Sequence, residues 1–133
     1  MAILDAVKAI QDVTGVLTGI KTAPDYPGGG PMPMVIAHLG SGAITPGNPT
    51  PGRTELHNIV VELHVLEAGS LADAFTVLET LHALIVPALC LDVTFAATLQ
   101  TYTNITYSTT RSTWDGAPTL ARIYTLNACK IIA

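Results

Sequence analysis

Glu55-Leu56-His57-Asn58-Ile59-Val60-Val61-Glu62-Leu63-His64-Val65-Leu66 is the most strand-like run in this chain. Its branched apolar residues recur at alternate positions. An extended backbone therefore puts Ile59, Val61, Leu63 and Val65 on one face and Asn58, Glu62 and His64 on the other. That is the pattern of a half-buried strand in an antiparallel sheet. Its register should be firmly set, because a slip of one residue would turn the whole apolar row out of the core.

On the N-terminal side, Met34 to Leu39 reads as a second, short apolar strand that ends at Gly40-Ser41-Gly42. Between the two strands, Ala43 to Thr54 carries Pro46, Gly47, Pro49, Pro51 and Gly52, with Arg53 near its end. This composition predicts a long protruding loop over 43–54, a candidate contact arm. Further upstream, Pro24-Asp25-Tyr26-Pro27-Gly28-Gly29-Gly30-Pro31 is a turn-rich connector, preceded by a short extended segment over Val16 to Ala23. No Gly-Lys-Ser/Thr follows the glycines, so the connector lacks the parts of a phosphate loop. The chain opens with Ile3, Leu4, Val7, Ile10 and Val13 at helical spacing, a stripe that Gly15 should end. Lys8 and Asp12 fall away from that stripe as a solvated pair.

On the C-terminal side, Ser70 and Asp73 form a variant capping box. Behind it, Leu71, Ala74, Phe75, Leu78, Leu81, His82 and Ile85 make a broad apolar stripe, with Asp73, Thr76, Glu79, Thr80 and Ala83 on the far side. Pro87 is expected to stop or reset this second helix. Thr94 to Thr110 suits one or two strands, Trp114-Asp115-Gly116 a turn, and Thr119 to Ile132 a last strand. Helix, strands, helix, strands predicts an α+β domain: a single antiparallel or mixed sheet with two helices packed on it. At 133 residues the chain holds one such core, so one domain is expected over 1–133.

Hydrophobic residues make up 49% of the chain and charged ones only 12%, and the mean hydropathy is +0.46. Too little charge remains to coat the surface. The most apolar run, Leu81 to Leu91, is short for a bilayer and contains His82 and Pro87, so no membrane partner is expected. Met1 to Gly15, interrupted by Asp5, Lys8, Gln11 and Asp12, does not read as a signal peptide. A large apolar surface covered by copies of the chain or by partners accounts for the composition. Net charge of −4 and six scattered basic residues leave no grip for specific nucleic-acid binding.

The residues of catalysis fall into no working set. His57 and His64 are seven apart on one strand and cannot share a metal; Glu79-Thr80-Leu81-His82 is one Glu-x-x-His motif where a helical di-iron site needs two. Cys90 and Cys129 lack CxxC spacing and a nearby activating group, and read as buried thiols. No Gly-x-Ser-x-Gly elbow is present. The expectation is no catalytic residue, no cofactor and no metal.

The N-terminal helix, Lys21-Thr22-Ala23-Pro24-Asp25-Tyr26-Pro27, the strand ending in Gly40-Ser41-Gly42, and Leu56 to Val65 together resemble the small tail-assembly proteins of long-tailed bacteriophages. The tail terminator, or tail-completion, group is the most similar, and the likeness extends through the second helix, Ile105-Thr106-Tyr107 and the last strand. The resemblance implies a virion neck subunit that closes into a homo-oligomeric ring, usually a hexamer. Such a ring caps the tail tube protein and meets the head-completion or connector protein. Arg53, Glu62, His64 and Trp114 are the residues expected at a subunit interface or lumen. Another neck protein, or a small ligand-binding α+β oligomer with its pocket under the 40–54 segment, is the alternative.

Overall fold

The computed structural model describes residues 3–17, 19–20, 32–47, 53–67, 70–91, 95, 99–114 and 117–131. They form α1 (Ile3–Gly15), β1 (Met34–Pro46), β2 (Arg53–Leu66), α2 (Leu71–Leu91), β3 (Leu99–Thr101), β4 (Asn104–Trp114) and β5 (Ala117–Ile131). β1 pairs β2, β2 pairs β5, and β5 also pairs β3 and β4, every ladder antiparallel. The fold is α+β, an antiparallel sheet carrying two helices. The stretch around Ile59 lies at its centre, flanked by β1 on one side and β5 on the other.

The alternation in β2 is obeyed: Ile59, Val61, Leu63 and Val65 are all buried. They meet Val35 and Ala37 of β1, Leu120, Tyr124 and Leu126 of β5, and the inner sides of both helices. α1 packs on β1 and α2, and α2 on β2 and β5, so both helices cover the same face. On α1 the buried line is Ala6, Val7, Ile10, Gln11 and Thr14, while Leu4 is exposed; the seam is rotated from the apolar stripe. The reason is polar: Gln11 Nε2 donates to the Val35 carbonyl of β1 at 3.2 Å, and Thr14 Oγ1 donates to the Ile10 carbonyl at 2.9 Å. Two polar side chains thus find partners inside the contact and can be buried.

α2 starts as its sequence predicts, with the Asp73 amide donating to Ser70 Oγ at 3.3 Å. Its buried seam is Ala74, Leu78, Leu81, Ile85 and Leu89. Pro87 does not stop it, since the helix continues to Leu91. A proline there removes a hydrogen bond to the carbonyl of Ala83. Both residues lie on the exposed side of the helix, where that carbonyl is open to solvent.

The loop expected over 43–54 is a correction. β1 runs on to Pro46 and β2 begins at Arg53, and the two stay paired through Thr45↔Thr54 and Pro46↔Arg53. The arm is a two-stranded ribbon. Every β1 residue from Leu39 to Pro46 is exposed. Gly40 is an extra residue on β1, between the pairs Leu39↔Ile59 and Ser41↔Asn58. A Cβ there would stand 2.7 Å from Val60 Cγ2, so the strands approach more closely than a side chain permits. The expected connector over 24–31 lies outside the described residues.

Candidate functional site

On the face of β2 turned away from the helices, the register sets Met34 beside His64 and Ile36 beside Glu62, with Ala121 and Ile123 across on β5. Met34, Ile36, His64, Thr119 and Ala121 are buried. The polar row expected to meet water is therefore half interior, and His64, expected at a subunit interface or lumen, is only 1% exposed. Met34-Val35-Ile36-Ala37 carried the signal: an apolar run without alternation marks a strand buried on both faces.

Here four side chains form one hydrogen-bonded chain. His38 Nε2 donates to Glu62 Oε2 at 2.6 Å, and His64 Nε2 donates to Glu62 Oε1 at 3.2 Å. Thr119 Oγ1 lies 3.0 Å from His64 Nδ1 and donates to it when the imidazole is neutral. Hydroxyl, imidazole and carboxylate follow one another as in a nucleophilic triad. Thr119 is fully enclosed, however, so no substrate carbonyl reaches its oxygen. What the chain does is tie β1, β2 and β5 together across the sheet.

The bond from His64 holds the Glu62 carboxyl below its ordinary value of 4.5, burial opposes the shift, and the bond from His38 adds to it. A carboxyl lowered in the folded state contributes stability above the unfolded value and loses it as pH falls through the folded one. Glu62→Gln cannot titrate. We expect the variant to be about 1–2 kcal/mol less stable near neutrality and to lose less stability than the parent on acidification below pH 4.5. Urea unfolding across that range checks it, and parallel pH curves for the two proteins would contradict the assignment.

On the helix face, Arg122 of β5 is 6% exposed. Its Nη2 lies 2.6 Å from Glu79 Oε1 of α2, its Nε donates to Thr109 Oγ1 at 2.9 Å, and its guanidinium stands over the Tyr107 ring at 5.3 Å. Glu79 and His82, set out by sequence as Glu-x-x-His, therefore have separate partners: Arg122 and the Tyr124 hydroxyl. Among the described residues no group of three or more His, Cys, Asp and Glu side chains is placed to hold a metal. His57 sits 3.7 Å from Glu55, apart from the Glu62 cluster. Cys129 is buried, its thiol pushed up to about 11 by burial, whereas Cys90 is exposed, against the expectation of two buried thiols. Arg53 opens β2 opposite Pro46 and Trp114 closes β4 opposite Ala117, so the two sit at opposite ends of the sheet from each other.

The outer parts of α2 are the most unusual surface. Leu71, Phe75 and Val86 flank the buried seam on one side, and Val77, Leu84 and Leu91, each seven residues on, flank it on the other. All six are at least 37% exposed, and only 28% of the helix's most apolar stretch is buried. The second shoulder borders an open, mostly apolar groove of about 480 Å³ between the helices, lined by Ala9, Asp12, Val13, Val16 and Leu17 of the α1 side and by Ala88 and Leu91. Val16 is 82% exposed and Leu91 87%.

No protein-family model matches this chain, and no curated protein matches it.

Proposed function

We propose that this chain is a structural subunit that assembles with copies of itself into a ring, as the tail terminators it resembles do at the neck of a phage virion. In this reading it acts without catalysis, cofactor or metal. It caps the tail tube protein, meets a head-completion or connector protein, and binds neither membrane nor specific nucleic acid. The observation that carries the reading is the apolar surface of α2 left outside the core, on a chain with 12% charged residues. Exposed apolar area of this kind marks a surface that is covered in the working state.

Two further features support it. β4 pairs only with β5, leaving its outer edge unpaired among the described residues, and it carries no proline, lysine or register shift along eleven residues. Its one charged residue, Arg111, is drawn back onto Glu67. Natural edge strands are normally defended by such devices; an undefended one is a template for pairing. The exposed β1–β2 ribbon provides reach toward a neighbour.

The test is Val77→Glu with Leu84→Glu, two carboxylates placed on the α1 side of α2. The parent should sediment as an oligomer, and the double variant as a monomer with an unchanged circular dichroism spectrum. Two charges buried in an apolar contact weaken association by roughly 100-fold or more. A parent that stays monomeric at micromolar concentration would overturn the ring.

A second reading has one observation in its favour: α2, at 21 residues, is long and apolar enough to cross a membrane by length and composition. Its seam is packed on the sheet, and Glu79 on it holds Arg122. Vesicle flotation separates the readings, since a membrane helix carries the protein to the lipid layer.

A further inference from the structure

The shoulder of α2 that faces β4 and β5 borders a second cavity, of about 390 Å³, distinct from the groove against α1. Its walls are aromatic and aliphatic: Tyr102, Tyr107 and Tyr124 with Leu89 and Val86. His82 packs into the same set, its ring 5.6 Å from that of Tyr124 and stacked, and 5.1 Å from that of Tyr107 and tilted. Tyr124 is fully buried, while Tyr107 is 58% exposed and forms the outer wall. The volume lies within the range of small-molecule sites, which pair apolar walls with a few directed polar groups.

Besides the Cys90 thiol and the tyrosine hydroxyls, the lining carries two polar groups that donate, from His82 and Asn104. The buried Tyr124 phenol, which burial keeps protonated, has His82 Nδ1 at 2.6 Å as its hydrogen-bond partner. If His82 donated instead, the phenol proton would be buried unpaired, so Tyr124 donates and Nδ1 accepts. The imidazole, whose own pKa is lowered by burial and then by Arg122, is neutral and carries its proton on Nε2. That N–H has no partner among the described residues. Asn104, at the other rim, accepts from Asn127 Nδ2 at 3.1 Å through its Oδ1, which leaves its own amide N–H groups to donate. Tyr102 spends its hydroxyl proton on the Leu89 carbonyl at 3.1 Å. The charges near the aromatic set among the described residues, Arg122 over the Tyr107 ring and Glu79, are paired with each other.

We propose that this cavity is a binding site for a small, uncharged, planar ring compound bearing an acceptor oxygen, of the aryl ketone class, its ring between Tyr102, Tyr107 and Tyr124 and its oxygen accepting from His82 Nε2 or Asn104 Nδ2. Among the described residues an anion has no unpaired cation to meet there, and a ligand offering only donors would leave both N–H groups unsatisfied. The site lies on the opposite side of α2 from the groove used for self-association in the ring reading, so either can hold without the other.

The experiment is a titration of the full chain with acetophenone and, separately, with ethylbenzene, which has the same ring and a similar size but no acceptor. Amide and side-chain NMR shifts are followed, and the oligomeric mass of each sample is recorded. Saturable shifts confined to residues of α2, β4 and β5 around the cavity are expected for acetophenone, with ethylbenzene about 10-fold weaker, the factor one neutral hydrogen bond supplies. Val86→Trp, which fills the cavity from an exposed position, should abolish binding without changing the unfolding midpoint. His82→Phe should bring acetophenone down to the affinity of ethylbenzene. Equal affinity for the two probes in the parent protein, no saturation, or binding that survives Val86→Trp would each overturn the proposal.

Discussion

Tyr124→Ala is expected to cost about 3–5 kcal/mol, the range for removing a large buried ring. The ring is fully enclosed on β5, between Val61 of β2 and Tyr107 of β4 in the register, with His82 of α2 stacked above it. No single element can move in to fill the space, because three strands and a helix hold its walls. Total stability of a domain this size is about 5–15 kcal/mol, so the variant should sit close to its unfolding threshold. Tyr124→Phe isolates the hydroxyl: it keeps the ring, deprives His82 Nδ1 of its donor and should cost about 1–2 kcal/mol. Urea unfolding of both variants is the measurement. A loss below about 1 kcal/mol for Tyr124→Ala would mean that the sheet and α2 close over the gap, contrary to walls held in place by three strands and a helix.

Asn58→Ala is expected to cost about 1–3 kcal/mol, more than a half-exposed amide usually carries. Asn58 stands on β2 where two ladders slip together. β1 has its extra residue at Gly40, and β5 fits Asn127 and Ala128 between Cys129 and Leu126 where β2 has Asn58 alone. Ala128 takes the left-handed conformation there, with φ 56°. The Asn58 side chain serves both sides, its Oδ1 accepting from the Ala128 amide at 3.1 Å and its Nδ2 donating to Ser41 Oγ at 2.9 Å. Without it the strained residue loses its anchor. Ala128→Gly, in contrast, should stabilise by about 1 kcal/mol, since glycine adopts that conformation without the Cβ clash. Opposite signs in thermal unfolding are the expected result; a destabilised Ala128→Gly would contradict the strain.

Periodicity placed α1, β2 and α2, and apolar runs placed the first half of β1 and most of β5; in β2 the core face sits where Ile59 and Val61 put it. The capped start of α2 was equally plain, since Ser70 and Asp73 act within one helical turn. What escaped was set by pairing across long stretches of chain. Gly-Ser-Gly-Ala-Ile-Thr-Pro looks like loop, and becomes strand only because β2 offers it a partner edge. His38 and Glu62 are 24 residues apart, and their bond exists only in the register Ile36↔Glu62 and His38↔Val60. Arg122 reads as a surface charge on a final strand until α2 lays Glu79 over it. On α2 the expected apolar stripe included Leu71 and Phe75, and packing leaves both exposed together with Val77, Leu84, Val86 and Leu91.

The slip at Asn58 also divides the molecule by rate of opening. Inward from it, β2 is flanked on both sides and covered by α2. Outward from His57, β2 has only β1 beside it among the described residues, and a two-stranded ribbon is marginal by itself. Amide exchange should therefore show a step along a single strand. Val61 and Leu63 should exchange only on global unfolding, while Glu55 and Leu56, a few residues away on the same backbone, should exchange by local fraying that leaves the rest of the sheet closed.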